Sequence, residues 1–215
     1  QEIDFRRMYG PLSKWVAQID EAARIPEMVS RAFCVATAGR PGPVVLALPE
    51  DMLFETASVD DVQSHRTARA CPSSDAMEKL RGMMSEAKRP LLILGGGGWD
   101  TTTVNNVQLF AERFGLPVVT SFRRQDYFDN AHPLFSGYLG LGINQKLADR
   151  VQDADLLLVL GARLGEVSTS GYSLLNIPNP NQKLVHVHAD PEELGRVYQA
   201  QLPINADPSA MAAVL

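Results

Sequence analysis

The order of apolar and polar positions predicts helices and strands in alternation along most of the chain. Helices are indicated where apolar residues recur every three or four positions, and strands where a short apolar run is bounded by Gly or Pro. The predicted helices are IPEMVSRAFCVATAG (25–39), SSDAMEKLRGMMSEAK (73–88), TTTVNNVQLFAERFG (101–115), NQKLADRVQDA (144–154), a short one near PEELGRVY (191–198) and a terminal one after Asp207. The predicted strands are PVVLALP (43–49), PLLIL (90–94), LPVVTS (116–121), DLLLVLGA (155–162), KLVHVHAD (183–190) and LPINA (202–206). This alternation predicts an α/β fold, a mostly parallel sheet with helices on both faces.

Two stretches interrupt the alternation. From Glu50 to Ser74 the apolar pattern gives way to acids, Thr, Ser, Arg and Pro, and this length exceeds an ordinary loop within a compact domain. We therefore expect an interdomain linker there. The second stretch, Phe122 to Gly142, is predicted to be irregular.

Composition and charge narrow the classes of partner. The chain has 215 residues, of which 45% are hydrophobic and 21% charged, with a net charge of −5. No apolar run approaches the roughly 20 residues of a spanning helix, so we expect no membrane partner. The acidic balance argues against nucleic acid, because that partner selects clustered Lys and Arg. Small molecules or proteins are the expected partners.

The cysteines and the first residue give two further expectations. Cys34 and Cys71 lie far apart, without a C-x-x-C motif or a secretory signal, which favours a reducing, cytoplasmic compartment. The chain starts at Gln1 without an initiator methionine, so we expect it to be a piece of a longer protein.

Four of the predicted strands end in residues suited to a ligand. These ends are Gly95–Gly98, Thr120–Ser121, Gly161–Arg163 and His188–Asp190. In a parallel sheet, ligands bind beyond the carboxyl ends of the strands, where small residues let a ligand approach the backbone. Arg163 could hold a phosphate bidentately, and Asp190 could accept hydrogen bonds from a ribose. Together these ends predict an adenine-nucleotide crevice.

Each of these residues also has a purely structural interpretation. The glycines do not complete G-x-G-x-x-G and could form a plain turn. Arg163 could be an ion-pair partner, and Asp190, which precedes a proline, could be a helix N-cap. His186 and His188 lie on one face of a strand but have no evident third ligand for zinc. A serine hydrolase is set aside because the sequence contains no G-x-S-x-G.

Five segments resemble a known family. GRPGPVVLALPEDM (39–52) resembles the end of the pyrimidine-binding domain of thiamine-diphosphate enzymes of the acetolactate synthase type. RPLLILGGGG, FGLPVVTS, SGYLGLGINQKLADRVQDADLLLVLGAR and KLVHVHADPEELGRVY resemble, in order, the successive strand ends of that superfamily's central domain. The resemblance covers nearly the whole chain. It implies a Rossmann-like (DHS-like) central domain at 75–215, a linker at 53–74, and at 1–52 a helix–strand remnant of the preceding α/β domain.

The resemblance also implies a reaction and cofactors. The full-length enzyme would be a 2-oxo acid decarboxylase or carboligase that uses thiamine diphosphate and magnesium, and it would form a homodimer or homotetramer. The family's catalytic glutamate lies earlier in the pyrimidine-binding domain, and its diphosphate and magnesium motif, Gly-Asp-Gly, lies in a third domain. This sequence contains no Gly-Asp-Gly, and its glutamates before Gly39 do not match the expected position. We therefore assign no catalytic residue and no metal ligand to it.

In acetolactate synthases the central domain holds FAD, which the main reaction does not use for redox chemistry, and in relatives the same crevice takes ADP, a coenzyme A or nothing. The positions carried over by motif are Gly95, Gly96, Gly97, Thr120, Ser121, Gly140, Leu141, Gly161, Ala162, Arg163 and Asp190. Two motifs depart from the family: Gly140–Ile143 lacks the histidine of Gly-Met-His-Gly, and Leu164–Val167 replaces Phe-Asp-Asp-Arg. These departures favour an acetolactate-synthase-like enzyme with another substrate.

Two alternatives remain open. One is an NAD-type nucleotide-binding domain of an oxidoreductase, which should have a complete G-x-G-x-x-G and an acidic residue at the end of its second strand. Here that strand ends in Thr120 and Ser121. The other is a structural domain with an empty crevice.

Overall fold

A computed structural model describes residues 3–215, which divide into two compact units between Ala68 and Arg69. The helices are α1 (Phe5–Tyr9), α2 (Ile25–Thr37), α3 (Ser74–Glu86), α4 (Thr101–Phe114), α5 (Gln145–Asp153) and α6 (Pro208–Ala212). The strands are β1 (Trp15–Gln18), β2 (Val44–Ala47), β3 (Pro90–Leu94), β4 (Val118–Ser121), β5 (Phe135–Leu139), β6 (Leu156–Leu160), β7 (Lys183–His188) and β8 (Leu202–Asn205).

The first unit contains a two-stranded parallel sheet and one long helix. β1 pairs with β2, and α2 begins with Pro26 in its first turn, as its sequence predicts. Met28 and Ala32 of α2 pack with Ala17 and Ile19 in a small core. Phe33, which the apolar pattern of the helix included, is instead 56% exposed. β1 has no counterpart among the predicted strands, and β2 is only half-buried.

The second unit is a six-stranded parallel sheet in the order β5-β4-β3-β6-β7-β8. This arrangement confirms the predicted α/β class with helices on both faces. One face packs Leu92 and Leu94 against α3, α4 and α6, and the opposite face packs Leu91 and Ile93 against α5. Successive strand residues point to opposite faces, so a strand covered on both sides is apolar at every position. β6 meets this condition, because all five of its residues are buried.

The helix boundaries follow the caps in the sequence. Ser73 accepts from the Ala76 N–H at the start of α3, and Asn144 accepts from the Lys146 N–H at the start of α5. α4 ends at Gly115, whose φ of 61° is the left-handed conformation that a glycine adopts without strain.

Two predictions at the sheet edges are wrong. The stretch predicted to be irregular contains β5, an edge strand that the pattern hid because Gly137 interrupts it and a register shift separates Val118 from Val119. The helix expected near 191–198 is one 3-10 turn, Pro191–Glu193. Between residues 55 and 73 the chain forms neither helix nor strand.

Candidate functional site

The strand order places a change of winding direction between β3 and β6. From β3 the chain proceeds outward through β4 to β5, then returns to β6 on the other side of β3 and continues through β7 to β8. At such a point the two neighbouring strand ends lead into loops that diverge, which leaves a crevice beyond the sheet. The strand order predicts such a crevice at the loops Gly95–Gly98 and Gly161–Arg163, and we call this region the switch-point crevice.

The glycines that begin these two loops pack against each other. A Cβ built on Gly95 would lie 2.7 Å from the Ala162 Cβ and closer still to the Ser121 Oγ. A Cβ on Gly96 would lie 2.8 Å from the Gly161 carbonyl carbon and closer still to its oxygen. The ends of β3, β4 and β6 therefore meet at a point where no side chain fits. Close packing therefore explains why positions 95 and 96 are glycine, and no ligand is needed for the explanation.

The next two glycines are different, because the loop opens there. A Cβ on Gly97 would meet no atom within 4 Å, and one on Gly98 would meet only the Asp207 Oδ1, at 4.0 Å. Gly98 has a φ of +78°, so its backbone conformation favours glycine even though the space around it is empty. Gly97 and Gly98 are the exposed part of the glycine loop.

Three side chains that the sequence analysis missed hold the loop in place. The Gly96 carbonyl accepts hydrogen bonds from Arg124 Nε, at 2.7 Å, and from the Tyr127 hydroxyl, at 2.9 Å. Trp99 Nε1 donates to the Gly95 carbonyl at 2.8 Å, and its ring stacks on Tyr127 with 4.5 Å between centroids. Burial raises the pKa of the Tyr127 hydroxyl, which keeps it a donor at neutral pH. Arg124 and Tyr127 follow the β4 end directly, which is the signal that could have found them.

The N-terminus of α4 already holds an anion. The Asp100 carboxylate accepts from the hydroxyl and the backbone N–H of Thr103, both at 2.7 Å. The hydrogen bond from the Thr103 hydroxyl, together with that from its backbone, lowers the pKa of Asp100. In dinucleotide folds the phosphates lie at this helix N-terminus. A phosphate there would meet a like charge, so in this chain the phosphates of a nucleotide would have to lie away from α4.

Arg163 and Asp190 each make the structural contact that the sequence offered as an alternative, an ion pair for Arg163 and a cap for Asp190. Arg163 Nε lies 3.1 Å from Glu193 Oε2, at ion-pair distance, although the N–H does not point at the oxygen. Glu193 is 8% exposed and also pairs with Arg196, whereas the Arg163 side chain is 40% exposed and reaches solvent. Asp190 accepts from the Glu192 N–H at 3.0 Å and so caps the 3-10 turn.

The two histidines of β7 are buried and bonded to backbone. His186 Nε2 lies 2.9 Å from the Ala162 carbonyl, which can only accept, so Nε2 carries the proton. Burial lowers the pKa of His186 and keeps the ring neutral. His188 Nδ1 accepts from the Asp190 N–H at 3.0 Å. Among residues 3–215, His, Cys, Asp and Glu side chains nowhere form a group of three that could hold a metal ion.

Burial sorts the predicted site residues into two groups. Gly95, Thr120, Ser121, Gly140, Gly161 and Ala162 are buried. The exposed or half-exposed positions are Gly96, Gly97, Leu141, Arg163 and Asp190. Gly140 and Leu141 follow β5 and Asp190 follows β7, four strand spacings apart, or about 19 Å. A ligand that contacts the whole row would have to be extended, as a dinucleotide is.

These observations test whether a nucleotide fits. The exposed glycine backbone and the half-exposed guanidinium of Arg163 are groups that bind phosphate, and the exposed Leu141 offers an apolar surface. The buried Thr120 Oγ1 has no hydrogen-bond partner, but it is not exposed to solvent. Groups of the kinds that bind phosphate and apolar ligands are therefore exposed at these strand ends, and the Asp100 carboxylate disfavours a phosphate at the α4 N-terminus.

Comparison with known proteins places the chain in a family. Residues 77–215 match the family described as "Thiamine pyrophosphate enzyme, central domain". The acetolactate synthase large subunit of Corynebacterium glutamicum is 30% identical over 214 residues, covering 96% of this chain and 33% of that protein. The acetolactate synthase isozyme 1 large subunit of Escherichia coli is 32% identical over 209 residues, covering 96% of this chain and 36% of its own length.

Relatives with another name are nearly as similar. The sulfoacetaldehyde acetyltransferase of Rhodobacter capsulatus is 28% identical over 213 residues, covering 99% of this chain and 36% of that protein. The chain thus spans about a third of the length of the curated relatives it matches. These relatives do not favour the oxidoreductase alternative. The chain belongs to the thiamine pyrophosphate enzyme central-domain family and is acetolactate synthase-like.

Proposed function

We propose that this chain is part of a thiamine-diphosphate-dependent decarboxylase or carboligase that acts on a 2-oxo acid. The family match over residues 77–215 carries the proposal, and the named relatives support it. Thiamine diphosphate, when bound, supplies the electron sink that stabilises the carbanion left by loss of carbon dioxide. Residues 1–52 would close the pyrimidine-binding domain, 53–74 would be the linker and 75–215 the central domain. The division at Ala68 and the absence of helix and strand from residues 55–73 support these boundaries.

The central domain would be architectural and would bind FAD or ADP in the switch-point crevice. The phosphates would lie against the exposed backbone of Gly97, on the side of the loop away from Asp100, and would also contact the half-exposed side chain of Arg163. The apolar part of the ligand would lie towards Leu141, which is 70% exposed. Gly95, Thr120, Ser121, Gly140, Gly161 and Ala162 would contribute the close packing beneath it, and Asp190 would face the ribose while its carboxylate caps the adjacent turn.

Binding measurements on the purified chain test the crevice. An absorbance band near 450 nm, as flavins in general show, would indicate retained FAD. In calorimetric titrations, Arg163→Ala should weaken FAD or ADP binding by about 1–3 kcal/mol through loss of a charged hydrogen-bond pair. Arg196→Ala is the matched control, because Arg196 pairs with the same Glu193 but does not follow a strand end at the crevice. Equal affinities in the parent and Arg163→Ala would remove Arg163 from the site. No binding of either nucleotide would leave the structural interpretation.

The activity is tested on the full-length protein. With thiamine diphosphate and magnesium added, a panel of 2-oxo acids should yield carbon dioxide and a carboligation product. Reduction of NAD by a substrate, without decarboxylation, would contradict the proposal and favour the oxidoreductase. This assay is independent of FAD binding, so the two parts of the proposal can fail separately.

Location and assembly belong to the same proposal. In the part of the chain that the structure covers, no helix combines the length and apolarity needed to cross a membrane. Cys34 and Cys71 are free thiols, which supports a cytoplasmic protein. We expect the full-length enzyme to be a homodimer or homotetramer, which analytical ultracentrifugation would measure.

A further inference from the structure

A cysteine and a histidine meet in the first unit, apart from the switch-point crevice. Cys34 lies on α2, and His65 lies in the segment without helix or strand. The Cys34 Sγ is 3.4 Å from His65 Nδ1. The other ring nitrogen, Nε2, is 2.8 Å from the Thr37 Oγ1, one helical turn along α2. Cys34, His65 and Thr37 thus form a row, which we call the thiol triad.

The hydrogen bonds around His65 favour one position of the imidazole proton. The Thr37 hydroxyl can donate its one proton to the Phe33 carbonyl at 2.9 Å, which leaves its oxygen free to accept from His65 Nε2. In this arrangement the neutral ring carries its proton on Nε2, which the Thr67 hydroxyl also approaches at 3.4 Å, and Nδ1 presents a lone pair to Cys34. The thiol is the donor in that contact.

Neither Cys34 nor His65 needs this contact to satisfy its polar atoms. Cys34 is exposed and His65 is half-buried, so water could satisfy both polar groups. The His65 ring is also held from the side, because it stacks on Phe33 with 6.4 Å between centroids. A nucleophile in contact with a base that a third group orients is the arrangement used for activated nucleophiles.

We propose that Cys34 is a modification site whose thiol, assisted by His65, undergoes exchange with low-molecular-weight disulfides. In the reaction the thiol proton passes to His65 Nδ1 while the sulfur bonds to one sulfur of the disulfide. The disulfide bond of the reagent breaks, and its second sulfur leaves with the electron pair as a thiolate. The Cys34 sulfur is oxidised, the departing sulfur is reduced, and His65 then returns its extra proton to solvent.

The chain contains its own reference thiol. Cys71 is also exposed and free, but its sulfur contacts the Arg69 carbonyl oxygen, at 3.9 Å, instead of a histidine. Cys34 lies in α2 and Cys71 in a segment without helix or strand, but both are exposed and meet the same reagent in the same sample. Cys71 therefore controls for exposure to the reagent, and the His65 and Thr37 variants isolate the effect of those two side chains.

The experiment measures both rates on the full 215-residue chain at pH 7. The chain is exposed to oxidised glutathione or to 5,5′-dithiobis(2-nitrobenzoate) and quenched at intervals, and each cysteine is quantified by peptide mass spectrometry. Cys34 should react at least about tenfold faster than Cys71, since a positioned base contributes this much or more. His65→Ala and Thr37→Val should each slow Cys34 and leave Cys71 unchanged. Thr37→Ser, which keeps the hydroxyl, should retain the parent rate.

Two results would overturn the proposal. Equal rates for Cys34 and Cys71 in the parent chain would show that the triad does not activate the thiol, and this comparison needs no variant. A fast Cys34 whose rate survives His65→Ala would show that exposure alone accounts for it. Far-UV circular dichroism of each variant establishes that α2 is intact.

Discussion

The four consecutive glycines give the sharpest test of the site geometry. Gly96, Gly97 and Gly98 can each be changed to alanine, and the structure predicts a different result for each. Gly97 has no neighbour within 4 Å of an added Cβ and no positive φ. Gly97→Ala should therefore change the free energy of unfolding by no more than about 1 kcal/mol, in either direction.

Gly98 and Gly96 form a matched pair, because both have a φ of +78°. An L-residue in the left-handed region costs about 1–2 kcal/mol. Gly98→Ala should lose only that amount, since its nearest neighbour is a side-chain oxygen at 4.0 Å. Gly96→Ala carries the same cost and also forces the Cβ into the Gly161 backbone carbonyl. Overpacking of this kind adds about 1–3 kcal/mol, so we expect a loss of about 2–5 kcal/mol.

Urea unfolding followed by tryptophan fluorescence measures these differences. The chain has two tryptophans, one in each unit, and Trp99 lies beside the glycine loop. In a Trp15→Phe background, the fluorescence of Trp99 therefore follows unfolding of the second unit alone, so the unfolding transitions of the two units are not mixed. From most to least stable, the expected order of the variants is Gly97→Ala, Gly98→Ala, Gly96→Ala. If Gly96→Ala unfolds no more readily than Gly98→Ala, the β3 and β6 loops do not approach as the structure has them.

Three further results are expected. Asp155→Asn should lower the free energy of unfolding by about 1–2 kcal/mol at pH 7. Burial raises the pKa of Asp155, but the hydrogen bonds that its carboxylate accepts from the Lys88 and Arg89 backbone N–H groups outweigh burial, so the pKa is lowered. The folded-state pKa lies below the unfolded value, so this contribution should vanish as urea stability is followed below about pH 4, and a constant difference would contradict it. Tyr127→Phe should lower the free energy of unfolding in urea by about 0.5–1.5 kcal/mol. The loss should lie at the low end of this range because Arg124 also donates to the Gly96 carbonyl. An unchanged free energy would argue against the hydrogen bond from the Tyr127 hydroxyl. Arg124→Ala should cost more in the Tyr127→Phe background than in the parent, as a double-mutant cycle would measure.

Some features of the site were visible in the sequence because they depend on local chemistry. Asp100 and Gly115 mark the ends of α4, since a carboxylate accepts from the first turn and a glycine tolerates the left-handed cap. The apolar runs of β3 and β6 predict strands buried on both faces. The resemblance to thiamine-diphosphate enzymes also depended on the order of such segments, and the family match confirmed it.

The tertiary structure decided what the strand ends do. The sequence could not distinguish two packed glycines from two open ones, because that depends on β6 lying beside β3, more than sixty residues away. Nor could it show that Arg163 lies beside a buried Glu193, or that Arg124 and Tyr127 hold the Gly96 carbonyl. Local propensity sets where helices and strands begin and end, whereas contacts between distant loops are set by strand order. In this protein, local chemistry indicated most helices and strands of the second unit but not the edge strand β5, and packing across the β3–β6 boundary determined which glycines are packed and which are exposed.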